Sequence, residues 1–193
     1  MVFVSHAAGG QRNWSESMTE KEFANKIAGG KRDLLQEFTD ILVRSKTPYC
    51  IIGGLAVNAY AEPVVSLDLD VVIAAQERDK LLQSFPKDYM VREEKHSINI
   101  SAPFSDLRIQ LQTDVRYENF IARAVRKKVL GYDVLVASLE DVLQGKLWAH
   151  SDPEKRASKR QKDLADITRL VESNPEVLTT PSGKLAKNII NKI

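Results

Sequence analysis

Cysteine is nearly absent from this chain: Cys50 is the only one in 193 residues, so no disulfide can form within it. Its place in the apolar run Tyr49-Cys50-Ile51-Ile52 suits packing rather than nucleophilic work. No run of eighteen apolar residues occurs, which excludes a helical membrane span. Met1-Val2-Phe3-Val4 is too short for the apolar region of a secretion signal. The histidines His6, His96 and His150 are scattered and, with cysteine so scarce, offer no zinc site. Walker and Rossmann glycine patterns are missing, and no Ser-His-Asp spacing is visible. A net charge of +2 does not demand a nucleic-acid partner. Hydrophobic residues make up 43% of the chain, enough for the core of one domain, and the composition fits a cytosolic enzyme.

What is present is concentrated in one stretch. Gly53-Gly54 is followed, after thirteen residues, by Asp68-Leu69-Asp70. Leu67, Val71, Val72 and Ile73 flank the acids and predict a strand, whose alternation points Asp68 and Asp70 to one face. Two parallel carboxylates repel each other and gain nothing from a core; a divalent cation between them supplies the missing charge. The apolar strand 49–52, Gly53-Gly54 and a helix over 54–61 form a turn whose glycines let the backbone approach a phosphate. A plain strand-to-helix turn beside an acidic surface strand would show the same residue types.

Two further charged residues sit where apolar ones are expected. Ser138 with Asp141 three residues on predicts a capped helix start. From there Leu139, Val142, Leu143, Lys146, Leu147 and His150 share one stripe. A lysine in that stripe either snorkels to water or meets an anion, such as a triphosphate or the carboxylate cluster. The last long helix, 157–173, turns Leu164, Ile167, Leu170 and Val171 inward and carries Asp163 on the stripe's edge, with Asp166 three residues further. An ordinary helix-edge acid would pair with Lys159 or Lys162. Lys155, Arg156, Lys159, Arg160 and Lys162 crowd the start of this helix, a patch suited to RNA, to a triphosphate, or simply to water.

Taken in order, Ile52-Gly53-Gly54, Asp68-Leu69-Asp70, the segment from Ala137 to Lys146 and Lys162-Asp163-Leu164-Ala165-Asp166-Ile167 resemble motifs of the DNA-polymerase-beta-like nucleotidyltransferases. The branch they resemble is the AbiEii/AbiGii-toxin type, over roughly residues 47 to 175. The resemblance implies Mg²⁺ or Mn²⁺ as cofactor, a nucleoside triphosphate such as ATP as substrate, and transfer of a nucleoside monophosphate to a hydroxyl. It also implies a toxin–antitoxin role, with RNA such as a tRNA end as acceptor and an antitoxin as protein partner. It calls for a third carboxylate on a neighbouring strand. Ser105 to Thr113 alternates, with Leu107, Ile109 and Leu111 on one face and Asp106, Arg108, Gln110 and Gln112 on the other, so Asp106 is the expected third metal ligand. Arg108 would contact a phosphate or neutralise Asp106. Lys146 would contact phosphate, and Asp163 would act beside it. Relatives often carry an arginine about where Val64 stands; its absence would weaken nucleotide binding, shift that task to Arg108 or Lys146, or mark a degenerate site, and the metal acids being in place favours an active one. A non-catalytic nucleotide- or RNA-binding module is the alternative.

The expected fold is α/β, a mixed twisted sheet with flanking helices. Residues 1–17 are expected to be a loose N-terminus, 18–175 the catalytic domain and 176–193 a C-terminal tail. Helices are expected at 20–27, 31–45, 54–61, 77–85, 117–125, from 138, and 157–173. Strands are expected at 49–52, 67–74, 89–93, 96–101, 106–113, 127–130 and 133–137.

Overall fold

Residues 18–94 and 97–191 are described in a computed structural model; the expectation for residues 1–17 lies outside them. Fourteen labelled elements follow the chain. They are α1 (Glu20–Ile27), α2 (Leu34–Ser45), β1 (Tyr49–Ile52), α3 (Gly53–Val57), β2 (Asp68–Ile73), α4 (Arg78–Gln83), β3 (Met90–Glu93), β4 (Ser97–Ala102), β5 (Ser105–Gln112), β6 (Val125–Val129), β7 (Tyr132–Val136), α5 (Leu139–Ser151), α6 (Ala157–Ser173) and α7 (Pro181–Ile190). The seven strands form one mixed sheet in the order β3-β4-β5-β2-β1-β7-β6. At its centre β2 runs parallel to β5 and antiparallel to β1, while β1 runs parallel to β7.

Alternation decides what each face meets. Leu69, Val71, Leu107, Ile109 and Leu111 are buried on one side of the sheet, where α2 packs. There Phe38 of α2 stacks on Phe85, and Phe85 meets Tyr89. The opposite side presents Asp68, Asp70, Gln110 and Gln112 to α5 and α6. All four residues of β1 are buried, as a strand covered on both faces requires.

Local chemistry explains where boundaries moved. The second helix begins at Leu34, later than expected, because the Asp33 side chain accepts from the N–H of Gln36 and caps it. Helix α3 stops at Val57 because the Asn58 carboxamide turns back to Val64, accepting from its N–H at 2.9 Å and donating to its carbonyl at 2.8 Å. Residues 115–123 form a 3-10 helix rather than an α-helix, held by Tyr117, Phe120 and Trp148 in mutual ring contact. The region expected as a tail is built into the domain. A 3-10 turn over Pro175–Thr179 leads into α7, which packs on α5 and α6. Ser182, Gly183 and Ala186 of α7 are buried, and a side chain at Gly183 would run into the Val177 carbonyl. Among the described residues, no helix is long and apolar enough to cross a membrane.

Candidate active site

The central strand brings its two acids to one place. Asp68 and Asp70 both line a cleft of about 390 Å³ between the sheet and helices α5 and α6. Asp70 stands opposite Ile52 across β1, one residue before Gly53. Gly53 has φ +68°, and a Cβ there would collide with the Asp70 carboxylate. Both facts require glycine: the conformation penalises a side chain, and the space is taken. Gly54 also lines the cleft. No side chain caps the first turn of α3, so its N–H groups lack the usual intrachain acceptor.

Burial pushes the Asp70 carboxyl up to about 6 from an ordinary 3.8; Lys146 opposes the shift, and the like charge of Asp68 adds to it. Without a cation, this carboxylate is costly to ionise.

Lys146, the lysine of the apolar stripe, does not snorkel. It is buried, and its Nζ lies 2.7 Å from Asp166 Oδ2 and 3.2 Å from Asp163 Oδ1. Burial pulls its pKa down, but Asp166 and then Asp163 outweigh that effect, and it ends above the ordinary lysine value. Asp163 also holds Lys155, and Asp166 holds Arg169 at 2.8 Å. This chain of paired charges pins α5 to α6 and keeps the ammonium fixed at the cleft wall. The sequence resemblance puts Asp163 beside the lysine, yet Asp166 makes the shorter contact. The three-residue spacing on one helix face accounts for both acids reaching the lysine.

The third carboxylate is where register matters. Parallel pairing sets Arg108 beside Asp68 and Gln110 beside Asp70. Asp106 lies two residues before Arg108, ahead of the start of β2. It is exposed, its N–H donates to the Ala28 carbonyl at 2.7 Å, and its carboxylate abuts Gly29. It shares a strand face with Arg108 and Gln110 but does not line the cleft. Arg108 neutralises Asp68, with Nη2 2.8 Å from Oδ1, rather than Asp106. Among the described residues, no three His, Cys, Asp or Glu side chains are grouped to hold a metal. Two carboxylates and the Gln110 carboxamide suit one Mg²⁺ completed by phosphate oxygens and water. They fall short of the acid set that a second ion would need.

The α6 side of the cleft wall is cationic. Lys155, Arg156, Lys159 and Lys162, from the start of α6, all line it. Among the described residues, Arg156, Lys159 and Lys162 have no acidic partner within ion-pair distance. Four of the five patch residues thus line the cleft, and the exposed Arg156, Lys159 and Lys162 keep unpaired charges for whatever enters. Tyr117 and Phe120 close one end. They approach α5 at Gly145, where a Cβ would come within 3.3 Å of the Tyr117 ring. Asp141, also in the wall, is taken by a two-pronged contact from Arg123 and by the Ser138 hydroxyl that caps α5.

No protein-family model matches this sequence, and no curated protein is significantly similar to it. Solved structures are similar in fold. The antibiotic-resistance factor ANT(2'')-Ia superposes with a TM-score of 0.56 at 13% identity, over 82% of this chain and 90% of its own. A nucleotidyltransferase-like antigenic protein from Paracoccidioides brasiliensis gives 0.54 at 18% identity, over 88% of each chain. The lincosamide antibiotic adenylyltransferase LnuA, solved with lincomycin, gives 0.52 at 12% identity, over 73% of this chain and 98% of its own. At these identities the likeness shows the fold: a mixed sheet with flanking helices of the nucleotidyltransferase type.

Proposed function

We propose that, on this nucleotidyltransferase fold, the protein moves a nucleoside monophosphate from a nucleoside triphosphate to a hydroxyl, with a divalent metal. One observation carries the reading. Asp68 and Asp70 point together from the central strand into a cleft that has a glycine on one side and unpaired cations on the other. Asp68, Asp70 and the Gln110 carboxamide would hold Mg²⁺ or Mn²⁺, which when bound neutralises phosphate charge and steadies the reacting oxygens.

The chain's own residues do the rest by position and charge. Gly53 and Gly54 let the triphosphate approach the backbone. Arg156, Lys159 and Lys162 meet its negative oxygens, and Lys146, kept protonated by Asp163 and Asp166, adds a fixed positive charge. Arg108 is free to move to a phosphate once a cation relieves it of Asp68. The acceptor oxygen attacks the α-phosphorus in line and forms the new O–P bond. The bond to the bridging oxygen breaks, pyrophosphate leaves with that electron pair, and the hydroxyl proton passes to water or a carboxylate. One neighbour, LnuA, is an antibiotic adenylyltransferase by name, which supports ATP as donor.

A toxin role and an antitoxin partner rest on the sequence resemblance alone, and an RNA acceptor on that resemblance and the basic patch. Lys155, Arg156, Lys159 and Lys162 of the basic patch line the cleft, where they suit a triphosphate. A non-catalytic nucleotide-binding module is the second reading, favoured by the glutamine beside Asp70. Labelled nucleoside triphosphates with Mg²⁺, offered to total RNA, protein and small-molecule extracts, separate the two. Product that keeps an α-phosphate label, loses a γ-phosphate label, and vanishes in Asp68→Ala/Asp70→Ala supports transfer. Binding without transfer supports the module. Growth arrest on expression, relieved by the product of an adjoining reading frame, would support the toxin role.

A further inference from the structure

A tyrosine enclosed by a fold usually finds a partner for its hydroxyl. Of the five tyrosines in this chain, four do. Tyr60 donates to the Ala137 carbonyl at 2.8 Å, Tyr89 to Glu37 at 3.0 Å and Tyr132 to Asp33 at 2.9 Å, while Tyr49 accepts from the Leu135 N–H at 3.4 Å. Tyr117 is the exception. Only 8% of it is exposed, yet among the described residues its hydroxyl has no hydrogen-bond partner.

Carbon holds its ring in place. The ring meets Phe120 edge-on at 5.3 Å and Trp148 edge-on at 5.4 Å between centroids, and a Cβ at Gly145 would come within 3.3 Å of it. The main chain is fixed as well, because the Tyr117 N–H donates to the Asp114 carbonyl at 3.1 Å in the 3-10 turn. A hydroxyl on so constrained a ring is already in position when a ligand arrives.

That position is the cleft, which Tyr117 lines. Among the described residues, Asp166 Oδ2 is the only enclosed side-chain polar atom without a hydrogen bond, so the Tyr117 hydroxyl opens to the cleft rather than to a sealed void. Burial pushes this phenol up to about 12; Arg116 opposes the shift, and the charges of Asp114, Asp70 and Asp163 add to it. At neutral pH it therefore keeps its proton and can donate it. Asp70 and Asp163 stand on opposite walls, the acid-bearing strand and the helix paired with Lys146, and the hydroxyl is near enough to feel both.

We propose that the Tyr117 hydroxyl donates a hydrogen bond to a phosphate oxygen of the bound nucleoside triphosphate. The inference rests on the nucleotidyl-transfer reading and adds to that site a neutral donor that the sequence motifs do not include. A phosphate chain reaching from a cation at Asp68 and Asp70 towards Lys146 passes between Asp70 and Asp163, beside this hydroxyl. Neutrality keeps the donor available. Arg108, Lys146 and Lys155 are each drawn to a carboxylate, whereas the phenol stays unpaired among the same acids.

Tyr117→Phe in the full chain removes one oxygen and keeps the ring, so its melting temperature should match the parent's. Calorimetry in Mg²⁺ with ATP, GTP, CTP and UTP, and separately with inorganic tripolyphosphate, reads the bond. Every affinity measurable in the parent should fall about ten- to a hundredfold, as a lost hydrogen bond to a charged group requires. Unchanged nucleotide affinity overturns the proposal. So does a loss confined to the nucleotides with tripolyphosphate unaffected, which would assign the hydroxyl to the nucleoside. Weaker binding accompanied by a lower melting temperature would assign it to the fold and overturn the proposal too. A parent that binds no nucleoside triphosphate in Mg²⁺ would sink the transfer reading itself, whereas a binding parent with an unaltered Tyr117→Phe would sink this inference alone.

Discussion

Replacing Asp70 with asparagine should make the folded protein more stable while destroying its function. The carboxyl rises from 3.8 to about 6 on folding, so the folded state holds this proton more tightly than the unfolded chain does. The stability it contributes is complete below 3.8 and is lost as pH climbs to about 6, above which the ionised group burdens the fold. A shift of about two units corresponds to about 3 kcal/mol. Water reaching the half-buried carboxylate screens part of that, so about 1–2 kcal/mol is expected in practice. For a chain this size, that raises the melting temperature by about 3–6 °C. The asparagine stays neutral at every pH, so the gain appears at pH 7.5 in EDTA and shrinks towards pH 4. Thermal unfolding of Asp70→Asn and its parent at both pH values measures it. An Asp70→Asn protein less stable than its parent at pH 7.5 would refute the reasoning, because the carboxylate would then be stabilising.

Other substitutions probe neighbouring parts. Lys146→Met leaves Asp163 and Asp166 buried without their shared cation and should cost about 3–5 kcal/mol in urea unfolding. Gly53→Ala forces a side chain into a left-handed residue against Asp70; nucleotide affinity should fall at least about tenfold by calorimetry, with stability down by about 1–3 kcal/mol. Asp106→Ala should leave the transfer rate within about threefold, since the residue lies outside the cleft, whereas Gln110→Ala should lower it further. Cys50, buried and with its thiol pushed up to about 12, should resist thiol reagents in the native protein and react once unfolded.

Periodicity carried much of this architecture. Alternation along 67–74 and 105–113 told which side chains share a face, and β2 and β5 bear that out. The helix 157–173 appears with those bounds because a long apolar stripe ends at a proline. Register, by contrast, is invisible in one strand's pattern. Asp106, Arg108, Gln110 and Gln112 all satisfy the same alternation, and only the pairing of β5 with β2 decides that Gln110, not Asp106, neighbours Asp70. Lys146 was legible as a misfit in an apolar stripe, but its partners lie on another helix, and no local rule ranks Asp166 above Asp163. The helix α7 was expected as a tail although Ile189 and Ile190 pack on the core, because its fully buried positions, Ser182, Gly183 and Ala186, are small. The 3-10 segment 115–123 owes its form to ring contacts with Trp148, which is distant in sequence.

Calorimetric titration with each of the four nucleoside triphosphates, with and without Mg²⁺, addresses the paired acids most directly. The account predicts at least one nucleotide that binds the parent only when Mg²⁺ is present, and a loss of that dependence in Asp68→Asn/Asp70→Asn. Nucleotide binding that ignores the cation in the parent, or that stays cation-dependent in the double variant, would contradict it.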